Sequence, residues 1–352
     1  KLRFRASRGT GWASDIAIDD IKIISTPGGN KAFGNFTLNL SEEGTHDWNI
    51  ECNDSRGYYT WAVSNYSLAF DVTDPVVSFG LGTLEEGSNV SQDWIYVNSS
   101  IVENNFKNIS FSLYDLGGFI SVESFNDSTR EYNFTELDDG EYFYNITVYD
   151  KANRKGNTST RKILLDTQLP SGNLISPSDN SFVNNATQNF TASLSDNRGL
   201  KEAILFIFNS TGNLIYKSSA IDLVGLTFAT VGIVYEFLQD GIYSWFYQVE
   251  DSVGNKYNLS DYDLIVDTTL PKIIFESGTE SGGEYVSQDY VYVNVSLIED
   301  NFRNITFELY DESNRIYSNT FTNSKGDINW TLLEDGIYYY NVSVWDRAGN
   351  FN

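Results

Sequence analysis

Cysteine, histidine, methionine and proline are scarce in this 352-residue chain, which has one Cys, one His, no Met and five Pro. The single cysteine, Cys52, excludes a disulfide framework within the chain. One histidine, His46, and one cysteine leave no zinc or nucleophile constellation. The few prolines exclude a proline-rich stalk between modules. We therefore expect a protein without enzymatic activity and without a required cofactor.

Basic residues and long apolar runs are also lacking. The chain has 23 Lys+Arg against 48 Asp+Glu, a net charge of -25. No basic cluster marks a nucleic-acid partner or a direct electrostatic bond to anionic lipid. The chain contains no run of 18 apolar residues, which a membrane span would need, so we expect no direct membrane insertion. An acidic surface of this kind favours solubility and attracts divalent cations.

Internal repetition is the strongest positive signal. Residues 76–115 and 272–311 align without a gap at an offset of 196, and 21 of the 40 pairs are identical. Turn glycines recur at Gly44, Gly140, Gly241 and Gly336, with steps of 96, 101 and 95 residues. A unit of this length matches an immunoglobulin-type sandwich. The repeats therefore predict an all-β fold of tandem Ig-like antiparallel β-sandwiches.

The segment after each turn glycine alternates apolar and polar residues, which is typical of a half-buried strand. The Asp-Gly-x-Tyr block before it resembles the tyrosine corner of Ig-like domains. His46 stands at the corner position and Cys52 at a core position, so we interpret both as packing residues. The apolar positions in the four copies are Tyr338, Tyr340, Val342, Val344; Tyr142, Tyr144, Ile146, Val148; Tyr243, Trp245, Tyr247, Val249; and His46, Trp48, Ile50, Cys52.

Three linkers follow a common pattern, as in Asp166-Thr-Gln-Leu-Pro170 and Asp267-Thr-Thr-Leu-Pro271. With the Asp-x-x-Gly-Asn turns they resemble the tandem Ig-like repeats of bacterial and archaeal cell-surface proteins and adhesins. Residues 4–21 resemble the closing segment of a MAM-type jelly-roll domain, although another β-hairpin would fit them too. The predicted domains are 1–26 (the C-terminal remnant of a jelly-roll-like domain), 27–72 (a partial Ig-like domain), and Ig-like domains at 73–166, 167–267 and 268–352, the last without its final strand.

Asn-x-Ser/Thr sequons are about three times as frequent as the roughly 6 that chance predicts. An Asn-, Ser- and Thr-rich β protein explains part of the excess, and N-glycosylation explains it better. Occupied sequons imply an exported, extracellular glycoprotein. The sequon asparagines are Asn35, Asn39, Asn53, Asn65, Asn89, Asn98, Asn108, Asn126, Asn133, Asn145, Asn157, Asn185, Asn189, Asn209, Asn258, Asn294, Asn304, Asn329 and Asn341.

Calcium is the one ion that the sequence suggests. In an Ig-like topology the incoming linker, the B–C loop and the F–G turn meet at one end of the sandwich, and all three are acidic here. Calcium takes six to eight hard oxygen ligands. The alternative is that Asp and Asn simply cap turns. The candidate ligands are Asp71, Asp74, Glu103, Asp150, Asp166, Asp196, Asp251, Asp267, Glu299, Asp300 and Asp346.

Taken together, these features predict an extracellular structural or adhesive protein, a stalk or filament subunit at the cell surface. Its expected partners are other copies of itself, or surface proteins and glycans. The alternative is the non-catalytic stalk of a larger secreted enzyme or carbohydrate-binding protein. Because the first Ig-like unit and the last one each lack strands, we expect a piece of a longer protein, or strands that a neighbour or an inserted jelly roll completes.

Overall fold

The computed structural model describes the backbone of residues 2–6, 17–25, 32–39, 42–53 and 58–352, and the side chains of 42–51 and 58–352. These residues form strands, turns and loops, and the strands pair almost entirely antiparallel. The predicted all-β fold of tandem sandwiches is confirmed. Backbone contacts divide the chain into two compact units, Lys1–Leu165 and Asp166–Asn352.

The described residues before residue 73 include six strands. One sheet has the order β1-β4-β5, with β6 also paired to β4, and β2 pairs with β3. Both pairings cross the domain boundary predicted at residue 26, which stays a prediction. Residues 7–16, the middle of the segment that resembles a jelly roll, lie outside the described residues. The strands are β1 (Leu2–Ala6), β2 (Ala17–Ser25), β3 (Ala32–Asn39), β4 (Gly44–Asn53), β5 (Tyr59–Trp61) and β6 (Tyr66–Phe70).

The repeat at 73–166, here the first repeat, is a two-sheet sandwich. One sheet has the order β12-β9-β7, and the other has β11-β10-β13-β15-β8, with β14 against β13. The β15–β8 pair is parallel. The strands are β7 (Val76–Phe79), β8 (Asn89–Val90), β9 (Ile95–Val102), β10 (Phe106–Asp115), β11 (Gly118–Phe125), β12 (Glu131–Phe134), β13 (Gly140–Asp150), β14 (Lys155–Asn157) and β15 (Arg161–Leu165).

The repeat at 167–267, the middle repeat, has the same plan. Its sheets are β16-β18-β22 and β17-β25-β23-β19-β20, with β21 against β19 and β24 against β23. The strands are β16 (Ser171–Ser176), β17 (Ser181–Val183), β18 (Thr187–Ser195), β19 (Leu200–Asn209), β20 (Leu214–Lys217), β21 (Ile221–Asp222), β22 (Phe228–Glu236), β23 (Gly241–Asp251), β24 (Lys256–Asn258) and β25 (Tyr262–Val266).

The repeat at 268–352, the last repeat, has two three-stranded sheets, β26-β27-β30 and β29-β28-β31. Within the described residues it has no counterpart of β15 or β25. Its core residue Tyr340 is accordingly half-buried, whereas the equivalent Tyr144 and Trp245 are fully buried. The strands are β26 (Lys272–Phe275), β27 (Tyr290–Ile298), β28 (Phe302–Tyr310), β29 (Arg315–Phe321), β30 (Asp327–Thr331) and β31 (Tyr339–Asp346).

The predicted alternation is confirmed in β13 and β23, where every second residue is buried. The predicted tyrosine corner is present in three repeats, because the hydroxyls of Tyr142, Tyr243 and Tyr338 each donate to the carbonyl four residues earlier, at 2.9, 2.8 and 2.8 Å. In the partial Ig-like domain predicted at 27–72, the half-buried His46 occupies the corner position. Its Nε2 lies 2.9 Å from the carbonyl oxygen of Glu42. The side chain of Cys52 lies outside the described set.

Candidate metal centres

Two groups of three carboxylates form where the sequence predicts converging loops. In each group the carboxylate oxygens lie within 4.8 Å of one another. Among the described residues these are the only groups of three His, Cys, Asp or Glu side chains that meet so closely. We call Asp166, Asp196 and Asp251 the middle triad, and Asp267, Glu299 and Asp346 the last triad.

The last triad draws one residue from each of three segments. Asp267 follows β25, Glu299 follows β27, and Asp346 ends β31. Asp267 and Asp346 are buried, with 5% and 0% of their surface exposed. The linker after β25, the loop after β27 and the turn after β31 thus each bring one carboxylate to this site.

Backbone and amide donors hold the last triad in place. Asp346 Oδ1 accepts from the backbone N–H groups of Gly349 and Asn350 at 2.7 and 2.8 Å. The side-chain amide of Asn350 donates to Asp346 Oδ2 at 2.7 Å and to the carbonyl of Asp267 at 2.8 Å. Asn301 donates its side-chain amide to Asp267 Oδ2 at 2.7 Å. Neutral donors thus orient these carboxylates without cancelling their charge.

The charge of the last triad is uncompensated within the described residues, since none of its carboxylates forms an ion pair. Burial raises the pKa of Glu299, and the nearby negative charges of Asp267, Asp346 and Asp300 raise it further. Three close carboxylates in a partly dry site repel one another. A bound cation would relieve this repulsion.

The middle triad has the same arrangement, with Asp196 in the place of the longer Glu299. Asp251 Oδ1 accepts from the backbone N–H groups of Val253, Gly254 and Asn255 at 2.9, 2.8 and 2.8 Å. The amide of Asn255 donates to Asp251 Oδ2 at 2.7 Å and to the carbonyl of Asp166 at 3.1 Å. This is the amide bridge that Asn350 forms in the last repeat.

Asp196 contributes the third carboxylate of the middle triad. Its Oδ1 accepts from the backbone N–H groups of Arg198 and Gly199 at 2.9 and 2.7 Å. Its Oδ2 is buried and has no hydrogen-bond partner. A buried carboxylate oxygen without a donor is costly, and a cation would satisfy it.

The first repeat keeps part of this pattern. Asn105 donates to Asp71 Oδ2 at 2.8 Å, as Asn301 does to Asp267. However, Asp71, Glu103 and Asp150 do not meet within 4.8 Å. Arg154 stands where the other repeats have Asn255 and Asn350. Its backbone N–H donates to Asp150 Oδ1 at 2.9 Å, and its guanidinium Nε lies 2.9 Å from Asp74 Oδ1.

Of the candidate ligands, the structure therefore brings together the six carboxylates of the two triads and leaves Asp71, Asp74, Glu103, Asp150 and Asp300 outside a triad. Asp74 pairs with Arg154, and Asp300 is exposed beside Glu299. Sequence reasoning missed the bridging amides and the arginine that replaces them. Aligning positions 154, 255 and 350 in the Asp-x-x-Gly-Asn motif would have found both.

The linker between the middle and last repeats is fastened on two sides. The hydroxyls of Thr268 and Thr269 donate to the two carboxylate oxygens of Asp240 at 2.9 and 2.7 Å. On the other side, the amide of Asn352 donates to the carbonyl of Pro271 at 3.0 Å. These bonds restrict the conformations of a short linker whether or not an ion is bound.

Every sequon asparagine whose side chain is described is half-buried or exposed. Attachment of a glycan requires this exposure. The side chains of Asn35, Asn39 and Asn53 lie outside the described set. Among the described residues, no helix is long and apolar enough to cross a bilayer.

Comparisons with known proteins give likenesses of fold only. The chain is similar to the fibronectin(III)-like modules of Clostridium thermocellum CbhA at 14% identity, covering 54% of this chain and 94% of that one, with a TM-score of 0.30. It is also similar to a tetra-tandem repeat in the extending region of a large adhesion protein, at 16% identity over 96% and 89% of the two chains, with a TM-score of 0.34.

A third similar structure is that of the chicken CNTN1 FN1-FN3 domains, at 10% identity over 78% of this chain and 94% of that one, with a TM-score of 0.27. No protein-family model matches the chain, and no curated protein matches it in sequence. TM-scores this low carry no inference about function, which has to come from the residues of this chain.

Proposed function

We propose that the chain is a structural or adhesive array at the cell surface, non-catalytic and N-glycosylated, whose sandwiches are stiffened by calcium at two of its three acidic junctions. The observation that carries this proposal is the pair of carboxylate triads, each placed where a linker enters the next repeat. Because such a site joins the linker to the B–C loop and the F–G turn, ion binding there would restrict the conformations of the linker.

The donor set of the triads suits calcium. Carboxylates and nearby backbone carbonyls are hard oxygen ligands, and calcium tolerates irregular sets of six to eight of them. The buried, unpartnered Oδ2 of Asp196 and the raised pKa of Glu299 both support a cation at these positions. Asp166, Asp196 and Asp251 would hold one ion, and Asp267, Glu299 and Asp346 the other.

The first repeat supports the same proposal by contrast. There the bridging amide is replaced by Arg154, whose guanidinium brings a positive charge to Asp74 at this junction. The positive charge of this side chain reduces the need for a metal ion. We therefore expect two calcium ions per chain rather than three.

Calorimetric titration of the full chain with calcium tests the ion sites, with a stoichiometry of two as the expected result. Small-angle scattering should then show a narrower distribution of inter-repeat distances in calcium than in EDTA. No heat of binding, together with identical scattering, would sink the calcium proposal. Antibody labelling of intact source cells tests the surface location separately, and labelling only after permeabilisation would contradict it.

A further inference from the structure

The outer face of the middle repeat is unlike those of its neighbours. The cross-strand pair Phe206 and Phe246 lies on the side of β19 and β23 that points away from the core, and Phe208 lies beside it. The ring centroids of Phe246 lie 5.3 Å from Phe206 and 5.8 Å from Phe208, with interplanar angles of 17° and 13°. The equivalent cross-strand pairs are polar, Ser112 with Asn145 and Glu308 with Asn341.

A cleft of about 760 Å³ opens beside these rings. Its apolar wall is formed by Phe208, Phe246 and Ile242, and Ile242 is 52% exposed. Its polar wall offers hydroxyl, amide and carboxylate groups. Apolar surface with a few convergent polar groups is typical of a ligand site. The polar wall consists of Ser244, Asn258, Asp261 and Asp263.

Asn209, a sequon asparagine, lines the same cleft. Its Oδ1 accepts three hydrogen bonds, from the backbone N–H and the hydroxyl of Thr211 at 3.1 and 2.8 Å and from the backbone N–H of Asn213 at 2.9 Å. The amide is therefore anchored through its oxygen. Nδ2, the atom that N-glycosylation modifies, has no hydrogen-bond partner in the described structure.

We propose that the glycan linked to Asn209 lies in this cleft and covers the rings of Phe208 and Phe246. This inference rests on the proposed glycosylation of the chain. The C–H faces of a pyranose pack on aromatic rings, and its hydroxyls donate to Asp261 and Asp263. Because the sugar is tethered at the wall of the cleft, its effective concentration there is on the order of millimolar even if the contacts are weak.

The outer faces of the first and last repeats support a glycan at this position. A solvent-facing cluster of phenylalanines is an aggregation or docking liability unless something covers it. At the position of Phe246 the first and last repeats have Asn145 and Asn341, themselves sequon residues on the outer face. The three repeats thus share a sequon near this face, on the face itself in two of them and on the adjoining turn in the middle one.

A double-mutant cycle on the full chain, secreted from a host that adds N-glycans, tests the proposal. Thr211→Ala removes the sequon, and Phe246→Asn introduces the residue of the sister repeats without creating a new sequon. The readout is hydrogen-exchange protection of β19 and β23. Loss of the glycan should lower protection about 3- to 10-fold with Phe246 present, the size of an aromatic contact, and much less in Phe246→Asn. Phe246→Thr replaces Phe246→Asn if that variant does not fold.

The second sequon at the cleft supplies the control. Ser260→Ala removes the sequon of Asn258, and its effect on protection should not depend on Phe246. Glycopeptide mass spectrometry gives the occupancy of each site. Equal losses of protection in both Phe246 backgrounds would overturn the inference, and so would an empty Asn209 beside occupied sequons. Chains with no occupied sequon at all would overturn the proposed glycosylation as well. If the Thr211→Ala variant formed dimers, and adding Phe246→Asn abolished them, the aromatic face would instead be assigned to contact with a second copy of the chain.

Discussion

Replacing Glu299 by glutamine tests the electrostatics of the last triad directly. Glutamine keeps the Oε1 that accepts from the backbone N–H of Asn301 at 2.6 Å, and it removes one of three charges. At 4.8 Å and an effective dielectric constant of about 20, two carboxylates repel by about 3.5 kcal/mol. The variant loses two such pairs. Partial exposure and the donated hydrogen bonds screen them, so we expect a net gain of about 1–3 kcal/mol without calcium.

Calcium should reverse this order of stability. An ion that binds only the folded state adds about 2.7 kcal/mol at a hundred times its dissociation constant, and Glu299→Gln weakens that binding. In EDTA the variant should therefore melt higher than the wild type, by about 4–8 °C per kcal/mol for a repeat of this size. In millimolar calcium the wild type should melt higher.

The assay is calorimetry of the full chain, with hydrogen exchange around β27 and β31 to assign the transition. Glu103→Gln is the matched control, since Glu103 is the equivalent loop residue of the first repeat and has no triad around it. Its melting temperature should show no calcium-dependent change relative to the wild type. The reasoning would be refuted if Glu299→Gln were destabilised in EDTA, or if it gained as much stability from calcium as the wild type.

Three further predictions follow from the same structure. Arg154→Asn restores the bridging amide of the first repeat, and calorimetric titration should then count three calcium ions; an unchanged count would contradict the role given to Arg154. Because the pKa of Glu299 is raised, the folded state holds the proton of this carboxyl more tightly than the unfolded state does. In EDTA the melting temperature should therefore rise as the pH falls from neutral toward 4.5, the usual pKa of a glutamate. The affinity for calcium should fall over the same pH range. Tyr243→Phe should cost about 1 kcal/mol in urea unfolding through the lost corner bond, against less than about 0.5 kcal/mol for the exposed Tyr257→Phe; equal costs would argue against the corner.

The sandwich architecture was predictable because strands have a side-chain period of two. Tyr142, Tyr144, Ile146 and Val148 recur at alternate positions, and the structure buries all four. The corner role of His46 was predictable in the same way, from its place in the alignment. Local pattern and spacing decide such features, so one sequence with internal repeats is enough to find them.

Contacts between distant segments were only partly predictable. The acidic loops suggested that linkers and turns converge. They did not distinguish the two triads from the first junction, where the carboxylates are farther apart. The reason is that the same turn accommodates an arginine at position 154 and an asparagine at position 350. The aromatic face was missed for a similar reason. Phe206 and Phe246 are 40 residues apart, and only the strand register places them opposite each other.

The order of the repeats has a consequence for folding during synthesis. The first and last repeats share 21 of 40 residues over their aligned segment, whereas the middle repeat differs from both. Adjacent domains of high identity exchange strands with each other and misassemble. Here, whichever repeat emerges next has a dissimilar neighbour. Placing the divergent repeat between the near-twins thus keeps the sequences most able to swap strands from being neighbours in the chain.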